Sequence, residues 1–162
     1  MRGTLLWGFV SLLLLAGPGC KQAKEKPPVK PPLSAQQTLL TLYPRANPDS
    51  ARWEWDTDGY FEAHFRLDGL PHKFRTDSTG RYLETEINVA RRSLPPPVQD
   101  TLQAQIDRAH DASIFRVRQV SVIHFADGHT EYEAQVRAAG KWRKRYYDDK
   151  GKQLREILPK KG

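Results

Sequence analysis

Five histidines, one cysteine and a pair of adjacent aspartates are the residues of this chain whose types could support chemistry. The histidines are His64, His72, His110, His124 and His129, and none falls in an HExxH or comparable ligand pair. His124 and His129 flank a predicted turn, where two imidazoles could meet, but zinc requires further ligands that this spacing does not supply. Asp148 and Asp149, in "YYDDKGK", stand at a predicted hairpin tip. Adjacent residues there point apart, unlike the facing carboxylates of a glycosidase, and the alternate acids and sixth-position glycine of a calcium loop are missing. There is no GxSxG elbow and no glycine-rich phosphate loop. Cys20 is the only cysteine. The sequence predicts no catalytic residue, no cofactor and no metal site.

Aromatic and arginine residues are more informative. Trp53, Trp55, Tyr60, Tyr82, Trp142, Tyr146 and Tyr147 all fall on predicted strands. Exposed Tyr, Trp and Arg are the types enriched at binding hot spots; the same residues also pair across strands and stabilise an open sheet. The candidate partner-binding set is Tyr60, His64 and Arg66 in one half and Arg137, Trp142 and Tyr146 in the other. In "KWRKRYY", Trp142 and Tyr146 share one face, and Arg143, Arg145 and Tyr147 share the opposite one. Burying two unpaired guanidinium groups would cost several kcal/mol each, which argues for outward arginines. The lack of room for large rings beside Tyr132 and Val136 argues the reverse, and tips the expectation narrowly toward an outward Trp142.

The elements that must carry these side chains are written twice. Phe61–Thr85 aligns without a gap to Tyr132–Glu156, with Glu62, Ala63, Arg66, Gly69, Lys73, Asp77, Gly80 and Leu83 recurring as Glu133, Ala134, Arg137, Gly140, Lys144, Asp148, Gly151 and Leu154. An internal repeat of this kind decides an architecture. Glycines at 59, 69 and 80, and at 128, 140 and 151, punctuate each copy at hairpin spacing, which predicts four antiparallel strands per copy. Between them the chain alternates. Phe61, Ala63, Phe65 and Leu67, like Tyr132, Ala134, Val136 and Ala138, form an apolar face opposed by a polar one, so each sheet has a buried and a wet side. Glu62 and Glu133 fall on the wet side, where substitution is expected to be well tolerated. "LSAQQTLLTLY" (33–43) and "VQDTLQAQIDRAH" (98–110) carry helical apolar spacing and are expected to cover the buried faces. The predicted fold class is α+β: two tandem units, each a helix plus a four-stranded antiparallel sheet with an open face, at 33–92 and 93–162.

The N-terminal region reads as targeting. An uncharged tract, Leu5 to Ala16, follows Arg2 and ends at "GPGC". It suits a signal peptide over 1–20, being shorter than the roughly 20 residues of a spanning helix. Lipidation of Cys20 accounts for a lone cysteine in an exported chain; ordinary cleavage near Gly19, or retention of the tract as an anchor, remain alternatives. Residues 21–32, with four Lys and four Pro, form an extended tether. The tether also carries much of the formal charge of +7, so the folded part is nearly neutral and a nucleic-acid partner is not expected.

The "YP" helix end (Tyr43-Pro44), "WEW" (Trp53 to Trp55), "YFEAHF" (Tyr60 to Phe65), the run Asp77 to Glu86 and "LPPPVQDTL" (Leu94 to Leu102) together resemble the PepSY-like family, also called β-lactamase-inhibitor-like, over roughly residues 35–157. The resemblance implies tandem helix-plus-sheet units in a small exported bacterial lipoprotein with no established catalytic residues. The expected function is therefore a non-catalytic module that binds a protein or peptide of the cell envelope. It would be lipid-anchored to an envelope membrane and face the periplasm or the cell surface. The alternatives are a structural or assembly lipoprotein and an inhibitor of a secreted hydrolase.

Overall fold

A computed structural model describes residues 29–56, 58–109 and 115–158; the signal tract, Cys20, most of the tether and His110 lie outside them. The chain order is α1 (Leu33–Leu42), β1 (Arg52–Trp55), β2 (Tyr60–Leu67), β3 (Leu70–Asp77), β4 (Tyr82–Val89), a 3-10 turn (Arg91–Ser93), α2 (Pro96–Arg108), β5 (Phe115–Phe125), β6 (Thr130–Ala138), β7 (Lys141–Tyr147) and β8 (Gln153–Ile157). Pro44 cannot continue α1, and Pro96 and Pro97 open α2, where a missing N–H leaves no helix bond unmade. No helix among the described residues is long and apolar enough to cross a membrane.

The eight strands form one antiparallel sheet in the order β1 to β8, rather than the two separate sheets expected from the repeat. The join is β4 with β5, in register from Glu84↔Phe125 to Val89↔Val120. The Ala126 N–H donates to the Leu83 carbonyl (2.9 Å), extending the ladder. The Tyr82 hydroxyl donates to the His124 carbonyl (2.8 Å) and ties the halves together on the side chain level.

Both helices cover the same face. Under α1, Ala35 and Leu39 meet Trp53, Ala63, Phe65 and Phe74. Under α2, Val98 and Leu102 meet Phe115, Val120, Ala134, Val136 and Tyr147. Full burial of a side chain such as Phe74 or Leu102 is worth about 1.5–3 kcal/mol. Ala63 and Ala134 are fully covered, as their equivalent places in the repeat predict.

Each helix is seated on a turn of its own half by the same contacts. The Thr38 hydroxyl donates to the Gly80 carbonyl (2.8 Å), and the Thr101 hydroxyl to the Gly151 carbonyl (3.0 Å). A Cβ on Gly80 would lie 2.4 Å from Ser34 Oγ, and one on Gly151 would lie 2.4 Å from the Pro97 carbonyl oxygen. Both glycines have positive φ, so neither position admits another residue without strain and displacement of the helix. The β2–β3 and β6–β7 hairpins turn on Asp68-Gly69 and Ala139-Gly140, both residues of each pair at positive φ as a type I′ turn demands.

Candidate functional site

The face away from the helices is uncovered among the described residues, and strand register fixes its membership. Arg52↔His64 and Glu54↔Glu62 join β1 to β2, Glu62↔Arg75 and His64↔Lys73 join β2 to β3, and Lys73↔Glu86 and Arg75↔Glu84 join β3 to β4. Across the seam Glu86 opposes Ile123 and Asn88 opposes Ser121. Beyond it come Ser121↔Glu133, Gln119↔Gln135 and Arg116↔Arg137, then Glu133↔Tyr146, Gln135↔Lys144 and Arg137↔Trp142, then Tyr146↔Arg155.

The middle and one end of this face form a ladder of opposite charges. Arg75 donates to Glu62 (2.7 Å) and to Glu84 (2.5 Å), and its guanidinium lies over the Tyr60 ring at 5.0 Å. Lys73 reaches Glu86 at 3.2 Å and Lys144 reaches Glu133 at 2.9 Å. Arg155 donates to Glu131 (2.5 Å) and covers the Tyr146 ring at 3.9 Å. At the seam, Ser121 Oγ lies 2.9 Å from Glu86 Oε1 and 2.8 Å from Asn88 Oδ1, and its single proton serves one of them at a time. Gln119 donates to the same Asn88 oxygen at 2.7 Å.

These neighbours reset the ionisation of the carboxyls. Burial alone would push the Glu62 carboxyl up; contact with His64 and the charges of Lys73 and Arg75 outweigh it and hold the group at about 2. Glu86 is likewise lowered, burial being overcome by Lys73 and Lys144 and by the Ser121 hydroxyl. Burial, and then the charge of Glu133, push the Tyr146 phenol up. Glu62 and Glu133 are only 8% and 2% exposed, which corrects the expectation of tolerant surface positions. Long basic side chains from adjacent strands close over them.

All six candidate residues lie on this face, but in different states. Arg137 and Trp142 are direct cross-strand neighbours; Arg137 is exposed and Trp142 is 36% exposed. Arg66 is exposed and donates to the Gly69 carbonyl, as Arg137 does to the Gly140 carbonyl (3.4 Å). Tyr60 is half-buried beneath Arg75. His64 Nε2 lies 2.8 Å from Glu62 and 3.7 Å from Glu54. Tyr146 is 7% exposed, sealed by Arg155. The outward Trp142 is possible because Arg143 and Arg145, which do point to the helix side, are not unpaired. Both donate to Glu156, Arg145 at 2.7 Å, and Arg145 also reaches Gln105 of α2 at 2.9 Å.

The remaining chemical candidates have structural duties. Asp148 Oδ1 accepts the Lys150 and Lys152 N–H groups (3.0 and 2.9 Å), a turn-closing role that Asp77 repeats for Thr79 and Arg81 (2.9 and 3.0 Å). His72 is buried on the helix face, stacked on Phe65 at 5.0 Å. His124 and His129 do not converge: His124 meets Thr130 at 3.1 Å, and His129 stacks on Phe125 at 4.1 Å beside Asp127. Glu54, Glu62 and His64 place ligand atoms within 4.8 Å of one another. Arg52 (3.1 Å from Glu54) and Arg75 already stand where a cation would neutralise these carboxylates. Sequence reasoning missed the ladder of Lys73, Arg75, Glu84, Glu86 and Glu131. The signal for part of it was present, since Glu62, Arg66 and Lys73 recur on the polar face as Glu133, Arg137 and Lys144.

No family model matches the chain and no curated protein matches it in sequence. Solved structures do match. A DUF2874 family protein from Bacteroides ovatus is 22% identical, with a TM-score of 0.67 over 80% of this chain and 89% of that one. A BLIP-like protein from Bacteroides fragilis is 24% identical, with a TM-score of 0.66 over 83% and 90%. A candidate periplasmic protein from Bacteroides eggerthii is 20% identical, with a TM-score of 0.68 over 80% and 90%. At these identities the likeness is one of fold: this chain has a BLIP-like α+β architecture.

The depressed Glu62 carboxyl has a direct consequence for acid stability. A group whose folded pKa is lowered contributes stability that is complete above its unfolded value, here 4.5, and is lost as pH falls toward about 2. With solvent screening allowed for, that contribution is about 1–3 kcal/mol. Glu62→Gln should therefore lower stability at neutral pH and flatten its decline between about pH 4.5 and pH 2, as read by urea unfolding across that range. An unchanged acid limb in the variant would show that Glu62 does not carry this linkage.

Proposed function

We propose that the protein is a non-catalytic binding module of the bacterial cell envelope, which takes a protein or peptide partner on its open sheet face. The observation that carries the reading is the exposed Arg137–Trp142 pair at one end of an uncovered face whose middle is held by ion pairs. Side chains that are ordered before binding lose little entropy on binding. Tyr60, His64 and Arg66 extend the surface in the first half; Tyr146, beneath Arg155, supports it in the second. We read the sheet as two copies of one helix-plus-four-strand unit, supported by the matched Thr38–Gly80 and Thr101–Gly151 contacts. The sequence resemblance to the PepSY-like lipoproteins agrees with this, and the uncharged tract ending at "GPGC" with its lone cysteine supports a lipid at Cys20 with residues 21–32 as the spacer. The fold likeness to a BLIP-like protein favours inhibition of a secreted hydrolase as the second reading.

Two experiments test the proposal. Tyr60→Ser and Trp142→Ser should retain the parent's thermal midpoint while abolishing capture of a partner from an envelope extract. Unchanged capture by both variants would remove this face from consideration. For the anchor, Cys20→Ala should move the protein from the membrane to the soluble fraction. Failure of the parent to take up labelled fatty acid would exclude the lipid.

A further inference from the structure

Charge on the open face is sorted along the strands. The ion-paired glutamates of this face, Glu54, Glu62, Glu84, Glu86, Glu131 and Glu133, lie in the middle or toward one end. The opposite end, where β6 finishes and β5 and β7 begin, carries Arg116, Arg118, Arg137 and Trp142. Arg116 and Arg137 are direct cross-strand partners. Like charges in that position repel, and among the described residues neither has a carboxylate partner. Arg118 sits in the β5 bulge between Val117 and Gln119, with its guanidinium 5.7 Å from the Trp142 ring centre. Arg118 and Arg91 also line a hollow of about 380 Å³ at the seam. Among the described residues, Arg116, Arg118 and Arg137 have no carboxylate partner beside this partly exposed indole, so their charge is left open to a ligand.

We infer that this corner, Arg116, Arg118, Arg137 and Trp142, is the docking point for an acidic polypeptide segment of the partner. The inference rests on the binding-module reading and names the chemistry of the partner. Guanidinium groups bind carboxylates in a planar two-point geometry, and an indole offers a flat apolar support beside them. Next along the face, a second hollow of about 120 Å³ is lined by Lys73 and Lys144, one from each half, by Glu86, which Lys73 neutralises, and by the amides of Asn88, Gln119 and Gln135. Amide side chains beside the arginines can pair with peptide groups, which suits a polypeptide better than a flat layer of lipid headgroups. The chain's own tether, with four lysines, has the wrong sign to occupy the corner itself.

Binding of synthetic peptides to the full mature protein tests this by fluorescence anisotropy. The probes are a Glu-rich peptide, its Gln counterpart, and phosphatidylglycerol vesicles. The Glu-rich peptide should bind, weaken as salt rises, and exceed the Gln peptide by about tenfold. An Arg116→Gln, Arg137→Gln double variant should lose about tenfold toward the Glu-rich peptide, while Lys150→Gln, Lys152→Gln, with the same loss of net charge at the other end of the strands, should not. Equal losses in the two double variants would mean bulk charge only and overturn the inference. So would failure of the Glu-rich peptide to bind, or binding of the vesicles alone. Equal binding of the two peptides, both abolished by Trp142→Ser, would overturn the acidic partner and leave the open-face reading standing. If Trp142→Ser also left binding unchanged, that reading would fail as well.

Discussion

The pairing of β4 with β5 is the constraint on which the rest of the molecule depends. Each half has a single helix, of ten or thirteen residues, over four strands. A unit of that size is marginal alone, because too little of its surface can be buried. Pairing Glu84–Val89 with Val120–Phe125 gives both halves a neighbour where each would otherwise present a bare edge. It also brings Lys73 and Lys144 to one hollow and lets Ser121 bridge to Glu86. The outer edges are treated differently. β1 has four residues, and its Trp53 carbonyl is taken by the Val29 N–H at 3.1 Å. β8 occupies the place in the second half that β4 has in the first, but is five residues long against eight. A short edge offers little template for a further strand, which ends the sheet at β1 and β8.

A sheet covered on one face must make the other compatible with water, and this chain does so with charge. Carboxylates sit beneath long basic side chains from neighbouring strands, so that Glu62, Glu86 and Glu133 are buried on the face that has no helix. Removing one partner of such a pair strands the other in a poorly solvated place, which is more costly than the intact pair is favourable. The ladder therefore holds its side chains in fixed positions, and among the described residues it does not extend to Arg116, Arg118 and Arg137 beside Trp142. Stability and recognition use the same residue types on one surface, separated by position along the strand.

Much of this was legible in the sequence. Period-2 alternation assigns Phe61, Ala63 and Phe65 to one face and Tyr60, His64 and Arg66 to the other, because adjacent strand residues must point apart. The glycine spacing locates the hairpins, and Pro44 and Pro97 mark the end of α1 and the start of α2 to within two residues. Less legible was the joining of the halves, since β4 and β5 are separated by a whole helix and their register depends on contacts no local pattern encodes. The burial of Glu62 and Glu133 was hidden for a related reason: alternation reports which face a residue is on, whereas its depth depends on Arg75 and Lys144 reaching across from the next strand. The direction of Arg143 and Arg145 turned on Glu156, which a bulge in the β7–β8 pairing brings opposite Arg145.

Amide hydrogen exchange at the seam tests the single-sheet architecture most directly. If the halves form one cooperative unit, the amides that bridge β4 and β5, from Glu84 to Val89 and from Val120 to Phe125, should exchange only by global unfolding. Their protection should then match that of the β2–β3 and β6–β7 ladders, with a single urea transition. Seam amides that exchange well before those of either half, together with a two-step transition, would show two units that merely touch, and would contradict an open face built across both.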